Sequence, residues 1–155
     1  MINIITNYTI RRATLDDLPV IVDWNIRLAR ETENMRLDRD TITRGVRAAL
    51  SDENKALYFV AEIDGQLVGM LMITYEWSDW RNGNIWWIQS LYVTPELRRR
   101  GVFHALYQHV HNLAQSNNVK GLRLYVEQTN TIAQTTYEHV GMTNSHYLMF
   151  ECMPL

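Results

Sequence analysis

Cysteine, proline and glycine are scarce in this chain of 155 residues, and each shortage excludes a class of protein. Because Cys152 is the only cysteine, the chain holds no internal disulfide, which favours an intracellular setting. Three prolines and seven glycines are few for this length, which argues against a disordered chain. Free cysteines usually pack as small apolar side chains, so we expect Cys152 to be buried and unreactive.

The chain also lacks long apolar runs and an excess of charge of one sign. No stretch approaches the roughly 20 apolar residues of a membrane-spanning helix. The first seven residues contain no lysine or arginine, so we expect no signal peptide, no membrane partner and a cytoplasmic location. The formal net charge of -2 argues against a nucleic-acid partner, because nucleic acids are bound by basic surfaces.

The residues that are present are those of a folded domain. Hydrophobic residues make up 46% and charged residues 21% of the chain, enough to bury a full core. The length is that of one domain, and no linker or repeat divides it. We therefore predict that residues 1–155 form a single domain.

Apolar periodicity predicts strands and helices in a definite order. Thr14 is a predicted helix N-cap, Asp64-Gly65 predicts a tight hairpin, and the polar stretch 76–84 is predicted to be a loop. The sum is a mixed sheet flanked by helices, an α/β (α+β) class. Predicted strands span 8–13, 56–63, 66–75, 85–93 and 122–126, with one or two more in 143–153, and predicted helices follow residues 14, 40, 100 and 130.

Residues 93–103, Val-Thr-Pro-Glu-Leu-Arg-Arg-Arg-Gly-Val-Phe, carry the strongest chemical signal. A predicted strand ends at Val93, and a helix begins at Gly101 after three arginines. Unpaired N–H groups at a helix start bind anions, glycine permits close approach, and arginines hold phosphate oxygens. The stretch predicts a site for a phosphate-bearing ligand. A solvated basic helix start or a nucleic-acid patch is the alternative.

Residues 98–103, Arg-Arg-Arg-Gly-Val-Phe, resemble the Gln/Arg-x-x-Gly-x-Gly/Ala signature of GCN5-related N-acetyltransferases, which move an acyl group from coenzyme A to an amine. Residues 91–96 are similar to the strand and Pro-Glu turn of that family. Residues 130–142 resemble its second block, with the spacing of Asn130, Ala133 and Tyr137 kept. The resemblance covers nearly the whole chain. It implies a mostly antiparallel central sheet of roughly six to seven strands flanked by four helices, with acetyl-CoA as co-substrate and no metal.

The resemblance also implies which residues bind the cofactor. The backbone of Leu91 and Val93 would pair with the pantetheine arm as an added strand does, and N–H groups of the loop would surround the diphosphate. Phe103 stands where the family has a small residue, and it either fills space beside those donors or points into the core. The implied cofactor-binding residues are Leu91, Tyr92, Val93, Arg98, Arg99, Arg100, Gly101, Val102, Phe103, His104, Asn130, Ala133 and Tyr137.

Tyr137 is the residue for which the resemblance implies catalysis, because many family members place a tyrosine here near the acyl-CoA sulfur. A phenol with an ordinary pKa of about 10 is protonated at neutral pH, so it can donate a proton to the departing thiolate. A packing tyrosine on a short amphipathic helix is the alternative. Asn130 has an alternative too, since an N-cap alone would explain it.

The base that removes the amine proton is less determined by the sequence. Some family members carry a glutamate on the fourth strand, where this chain has Gln89, which can orient a water but cannot accept a proton. The replacement candidates are Glu76 and Asp79, near the strand edge, and Glu31 and Glu33, after the first helix; Glu76 is the one that we assign to catalysis. Each carboxylate is otherwise a solvated surface group, and no base is needed if the amine arrives neutral.

The acceptor pocket is predicted to include Glu31, Glu33, Tyr75 and Trp77, since carboxylates and aromatic rings suit a cationic amine. Tryptophans in strands are otherwise core or homodimer interface. The predicted function is an N-acetyltransferase that moves acetyl from acetyl-CoA to a primary amine by direct attack, with a small-molecule amine favoured over a protein or peptide. The alternative is a non-catalytic acyl-CoA-binding sensor or regulatory module, which Gln89 supports.

Overall fold

The fold is built from five strands and four helices within residues 7–155, the part that a computed structural model describes. The prediction of no signal peptide concerns residues 1–6, which lie outside the described residues. The strands are β1 Thr9–Arg12, β2 Leu57–Ile63, β3 Gln66–Ser78, β4 Gly83–Val93 and β5 Gly121–Arg123. The helices are α1 Leu18–Glu33, α2 Arg39–Ser51, α3 Val102–Ser116 and α4 Thr131–His139.

The strands form one sheet in the order β1-β2-β3-β4-β5. Every neighbouring pair is antiparallel except β4 and β5, which are parallel. Helix α3 makes the crossover between those two parallel strands, as parallel neighbours require. The predicted class, a mixed and mostly antiparallel sheet with helices, is therefore confirmed.

The number of strands differs from the prediction of six to seven. Among the described residues no strand follows β5, and residues 143–153 have no regular secondary structure. Tyr147, Leu148 and Phe150 are exposed there. Alternating apolar residues show that a segment can pair, but pairing needs a neighbouring edge, which a one-dimensional pattern does not report.

Cys152 lies in the same C-terminal segment, and its side chain is exposed. The prediction of a buried thiol is therefore wrong. The apolar neighbours of Cys152 in sequence do not shield it, because Phe150, Met153 and Leu155 are exposed as well.

The predicted loop at 76–84 is mostly strand. Strand β3 runs on to Ser78 and β4 begins at Gly83, so Trp77 pairs with Asn84 and the turn shrinks to residues 79–82. Backbone hydrogen bonds hold this hairpin, and the polarity of its side chains does not report them.

The helices begin where capping side chains are available. Thr14 caps the short 3₁₀ turn that leads into α1, as predicted, and its backbone N–H donates to Asp17 in a capping box. Helix α2 begins after Asp38, whose carboxylate accepts from the backbone N–H of Thr41 at 2.8 Å, slightly earlier than the predicted start. None of the helices in residues 7–155 is long and apolar enough to cross a membrane.

The core lies on both faces of the sheet, and adjacent residues of β2 show this directly. Tyr58 and Val60 belong to the buried cluster that includes residues of α1 and α2. The ring of Phe59, between them in sequence, lies 5.3 Å from that of His109 on α3. Side chains alternate between the faces of a strand, so α1 and α2 cover one face and α3 covers the other.

Two compact units make up the chain, one ending at Tyr125 and the other spanning Val126–Leu155. The first contains the sheet and helices α1 to α3, and the second contains α4. The single domain expected from the sequence stays a prediction.

Candidate functional site

The outer edge of β4 is free over much of its length. Its parallel pairing with β5 covers only the pairs from Ile85 with Gly121 to Trp87 with Arg123. No other strand in residues 7–155 pairs with this side of β4 as it continues to Val93. Unpaired N–H and C=O groups along an edge are a template for an extended ligand. Leu91 and Val93, the positions predicted to pair with a pantetheine arm, lie on this free stretch.

A bulge interrupts β4 on this stretch. Tyr92 pairs with Met70 and Gln89 with Met72, so two residues of β4 face the single residue Leu71 of β3. Ser90, one of the two, has a φ of 49°, which is left-handed backbone. Bulges re-aim neighbouring groups and are common beside active sites. The bulge turns the β4 backbone just before Leu91.

The start of α3 offers backbone donors to an anion. Gly101 is the N-cap residue with a φ of 92°, and no side chain caps the helix. Arg99 also has a positive φ, 62°. Left-handed residues near a helix start turn successive N–H groups inward, and the helix dipole adds positive potential. The loop predicted to bind a diphosphate therefore has a backbone suited to one.

The arginines before α3 are not equivalent. Arg98 Nη2 lies 2.7 Å from Glu31 Oε2, and Arg98 Nε donates to the carbonyl of Val93 at 3.0 Å. The Arg98 guanidinium also lies 5.5 Å from the centre of the Tyr92 ring. Arg98 is thus held toward α1. The helix start also carries three other exposed side chains, those of Arg99, Arg100 and His104.

Phe103, the residue that departs from the signature, packs along its own helix. Its ring lies 5.8 Å from that of Tyr107, one turn further on, and the residue is half-buried. Val102 before it is buried and approaches Gly69 on β3. Val102 therefore anchors the helix start to the sheet, while the Phe103 ring leans along the helix rather than into the fully buried row of Leu106.

Glu76 is held by two donors on the face of the sheet that α1 covers. Its Oε2 accepts from Arg123 Nη1 at 2.8 Å, and its Oε1 accepts from Trp87 Nε1 at 3.3 Å. The carboxylate is half-exposed, with a side-chain exposure of 39%. Each oxygen of the carboxylate has a second lone-pair site, so Glu76 can accept a further hydrogen bond or a proton while both donors stay in place.

Gln89 lies on the same face and donates from Nε2 to Thr74 Oγ1 at 2.6 Å. Thr74 and Glu76 alternate on β3, and Trp87 and Gln89 alternate on β4, so the four side chains share one face. The two predicted catalytic residues of the sheet, Glu76 and Gln89, therefore lie on one face, but Gln89 pairs with Met72, so they stand four residues apart along the strands.

The four predicted acceptor residues are not brought together. Tyr75 and Trp77 alternate with Glu76, so they lie on the opposite face of β3. The Tyr75 hydroxyl donates to the carbonyl of Glu53 at 2.7 Å, while Trp77 is 62% exposed. Glu31 and Glu33 lie at the exposed end of α1, which covers the face of the sheet away from Tyr75 and Trp77.

The second unit carries the remaining predicted residues on α4. Asn130 Oδ1 accepts from the backbone N–H of Ala133 at 3.1 Å, so its role as helix N-cap is confirmed, and its contact with a cofactor stays a prediction. Burial raises the pKa of Tyr137 above its ordinary value. The phenol therefore keeps its proton across the neutral range, as a general acid requires.

The sequence alone did not point to two parts of this arrangement. Arg123, which holds Glu76, sits in a short predicted strand with nothing to distinguish it from a solvated arginine. Asn25 is buried on α1, where its Nδ2 donates to the carbonyl of Ile21. The sequence pattern could have indicated that Asn25 is buried, because this polar residue lies at helical spacing from Ile21 on the apolar face of α1.

Metal-ligating side chains do not gather within residues 7–155. No group of three or more histidine, cysteine, aspartate or glutamate side chains is placed there to hold an ion. The reaction without a metal stays a prediction.

The sheet order, the free edge of β4 and the glycine-started helix that follows are together the features expected of an acyl-CoA-dependent transferase domain. Comparison with known proteins agrees with this class. The model of the acetyltransferase (GNAT) family matches residues 18–142 of the chain. The chain therefore belongs to the acetyltransferase (GNAT) family, and it is an enzyme of that class.

Curated relatives carry the same chemistry in their names. An uncharacterized N-acetyltransferase of Archaeoglobus fulgidus is 31% identical over 129 residues, covering 83% of this chain and 88% of the relative. A thialysine N-epsilon-acetyltransferase of Caenorhabditis elegans is 31% identical over 93 residues, covering 59% of this chain and 58% of the relative.

Solved structures share the fold. A possible acetyltransferase from Clostridium difficile 630 has a TM-score of 0.89 and 46% identity, covering 96% of this chain and 98% of that one. A predicted acetyltransferase from Clostridium acetobutylicum, solved with acetyl-CoA, has a TM-score of 0.76 and 18% identity, covering 94% of this chain and 96% of that one. At that lower identity the likeness concerns the fold alone.

Proposed function

We propose that this enzyme transfers an acetyl group from acetyl-CoA to the primary amine of a small molecule, by direct attack and without a covalent enzyme intermediate. The observation that carries the proposal is the free stretch of β4 that leads into the uncapped N-terminus of α3. An extended amide chain ending in a diphosphate is the ligand that uses both features at once.

The cofactor is held mainly by backbone groups in this proposal. Leu91 and Val93 pair with the pantetheine amides, and the N–H groups from Arg99 to His104 surround the diphosphate. The exposed side chains of Arg99 and Arg100 add charge-assisted bonds to phosphate oxygens. Arg98 is held by Glu31 and shapes the loop instead.

The chemistry divides between two protein groups. Acetyl-CoA supplies an activated acyl carbonyl and a thiol leaving group. Tyr137 donates its proton to the departing sulfur as the carbon–sulfur bond breaks and the new carbon–nitrogen bond forms. Glu76 accepts the proton that the attacking amine loses, directly or through a water that Gln89 orients. Backbone N–H groups beside the β4 bulge stabilise the charge that develops on the carbonyl oxygen.

A small amine is the proposed acceptor. The thialysine acetyltransferase among the relatives acts, by its name, on a small-molecule amine. Glu33 and the rest of the exposed end of α1 offer carboxylates to a cationic substrate. A homodimer, for which exposed tryptophans would provide contacts, stays a prediction that light scattering on the purified protein can test.

A screen with purified protein tests this function. Acetyl-CoA and free CoA are first compared by thermal shift, and a library of polyamines, amino acids, aminoglycosides and peptides is then incubated with acetyl-CoA and read by mass spectrometry. We expect binding of acetyl-CoA and a 42 Da mass gain, the mass of an acetyl group less a proton, on small amines before peptides. Binding without turnover of any amine would favour the non-catalytic sensor, and no binding at all would refute the proposal.

A further inference from the structure

A buried polar network lies against the β4 bulge, and the proposed chemistry does not use it. Asn25 on α1 and Tyr58 on β2 are 6% and 4% exposed. Asn25 Nδ2 donates to the Tyr58 hydroxyl at 3.3 Å. Burial raises the pKa of Tyr58, and hydrogen bonding with the Ser90 side chain acts against that rise, so Ser90 lies beside the same hydroxyl. The network therefore ends on the residue whose backbone forms the bulge.

Ser90 is held in a conformation that a serine rarely adopts. Its φ of 49° lies in the left-handed region, where the side chain of an L-residue crowds its own backbone. Glycine would occupy this region freely. Such a conformation persists only where surrounding contacts hold it. Residues in rare backbone conformations are common at active sites. The Tyr58 hydroxyl is a contact of that kind.

The network is anchored at its other end. Tyr58 pairs with Met72 across β2 and β3, so its side chain passes over β3 to reach β4. Asn25 Nδ2 also donates to the carbonyl of Ile21 at 2.9 Å, which fixes the amide on α1. A helix, a strand and the bulge are thus joined through one hydroxyl.

We propose that Tyr58 and Asn25 are positioning residues that hold Ser90 in its left-handed conformation, so that the backbone N–H groups of the β4 bulge face the acyl carbonyl of the bound thioester. This inference rests on the proposed function. The two residues touch neither cofactor nor acceptor; they act through the backbone of β4. A buried network that serves stability alone would not depend on the backbone conformation of Ser90.

Discrimination between acetyl-CoA and free CoA is the property that this network controls, because free CoA has no acyl carbonyl. We expect the wild-type protein to bind acetyl-CoA more tightly than CoA in titration calorimetry. Tyr58→Phe removes the hydroxyl and keeps the ring, and it should reduce that preference by about tenfold, the effect of roughly one hydrogen bond. Asn25→Leu should reduce it in the same direction.

A rescue separates positioning from simple stability. Ser90→Gly supplies a residue that takes positive φ without help, so the double variant Tyr58→Phe/Ser90→Gly should recover most of the lost preference. Tyr107→Phe, a change at a buried tyrosine on the α3 side of the sheet, should leave the preference unchanged. Near-ultraviolet circular dichroism checks that each variant is folded.

The outcomes are distinct. If wild-type protein binds no acetyl-CoA, the proposed function fails. If it binds acetyl-CoA and CoA equally, if folded Tyr58→Phe keeps the wild-type preference, or if the double variant loses as much as Tyr58→Phe alone, the positioning inference is wrong and the proposed function stands.

Discussion

At the scale of single residues, Arg11 joins β1, β2 and the turn before α1. Its Nη1 and Nη2 donate to the two carboxylate oxygens of Asp17 at 2.8 and 2.9 Å, and its Nε donates to Glu62 at 2.7 Å. The side chain of Asp17 is only 7% exposed. A buried carboxylate is stabilising only while such partners are present, so this cluster ties the first strand to the fold.

The pKa of Asp17 determines how the unfolding free energy should change as pH falls. Its hydrogen bonds with Arg11, more than any other cause, hold the pKa of Asp17 below its ordinary value. A lowered folded pKa adds stability that is complete above the unfolded pKa of about 3.9 and is lost as pH falls through the folded value. Asp17→Asn should lower the unfolding free energy at pH 7 by about 1–3 kcal/mol and flatten its acid dependence.

Urea unfolding of Asp17→Asn between about pH 7 and pH 2.5 measures both effects across the range in which aspartates titrate. Asp16→Asn, at an exposed neighbour, is the control and should follow the wild-type curve. Parallel curves for Asp17→Asn and wild type would contradict the assignment.

Tyr137 gives the residue-scale prediction for catalysis. Tyr137→Phe should lower turnover about 100-fold or more, the range of general acid catalysis, with acetyl-CoA affinity similar to wild type. Because burial raises the pKa of Tyr137, its phenol should stay protonated below about pH 10, and the enzyme should lose no activity there through ionisation of this group. Steady-state rates across pH with an amine found in the screen provide the measurement. Unchanged turnover at every pH would remove Tyr137 from the mechanism.

At the scale of elements, the approach of α3 to β3 decides where the phosphate loop lies. A Cβ at Gly69 would stand 2.7 Å from Val102 Cγ1 and 3.2 Å from the carbonyl oxygen of Tyr92. Glycine at this position lets the first turn of α3 rest on the sheet, directly after the arginine loop. The packing of one residue therefore sets the position of the helix start.

Gly69→Ala should destabilise the protein by about 1–3 kcal/mol, because the added methyl overpacks a buried contact, and should weaken acetyl-CoA binding. Gly45→Ala on α2 is the matched control, since nothing lies within 4 Å of a Cβ there and alanine favours helix. Urea midpoints and calorimetry measure both. Equal stability and affinity for the two variants would contradict the close approach of α3.

Local patterns predicted most elements and missed those that depend on partners. The Asp64-Gly65 hairpin is confirmed, with positive φ at both residues, because its turn chemistry is local. The extension of β3 to Ser78 was missed, since polar side chains there hide a ladder of backbone hydrogen bonds. The strands expected in 143–153 were wrong for the reverse reason: their pattern is favourable, and no neighbouring strand pairs with it.

At the scale of the molecule, ligand binding should appear as a gain in stability. A ligand at 100 times its dissociation constant adds about 2.7 kcal/mol to the unfolding free energy, which raises Tm by roughly 5–10 °C for a chain of this size. We expect acetyl-CoA to produce this rise and adenosine, which lacks the diphosphate and pantetheine, to produce almost none. Equal shifts with both would mean that the loop before α3 does not hold the cofactor.

The sequence by itself determined the family, the α/β class and the loop that starts α3, because glycine, arginine and helix-start chemistry act over a few neighbouring residues. Only the tertiary structure decided that Arg98 turns to Glu31, that Arg123 holds Glu76, and that Tyr75 lies across the sheet from Glu76. These outcomes depend on which side chains distant in sequence meet. Strand register and side-chain alternation decide which of these side chains come into contact. Neither can be read from the few residues that flank each side chain in the sequence.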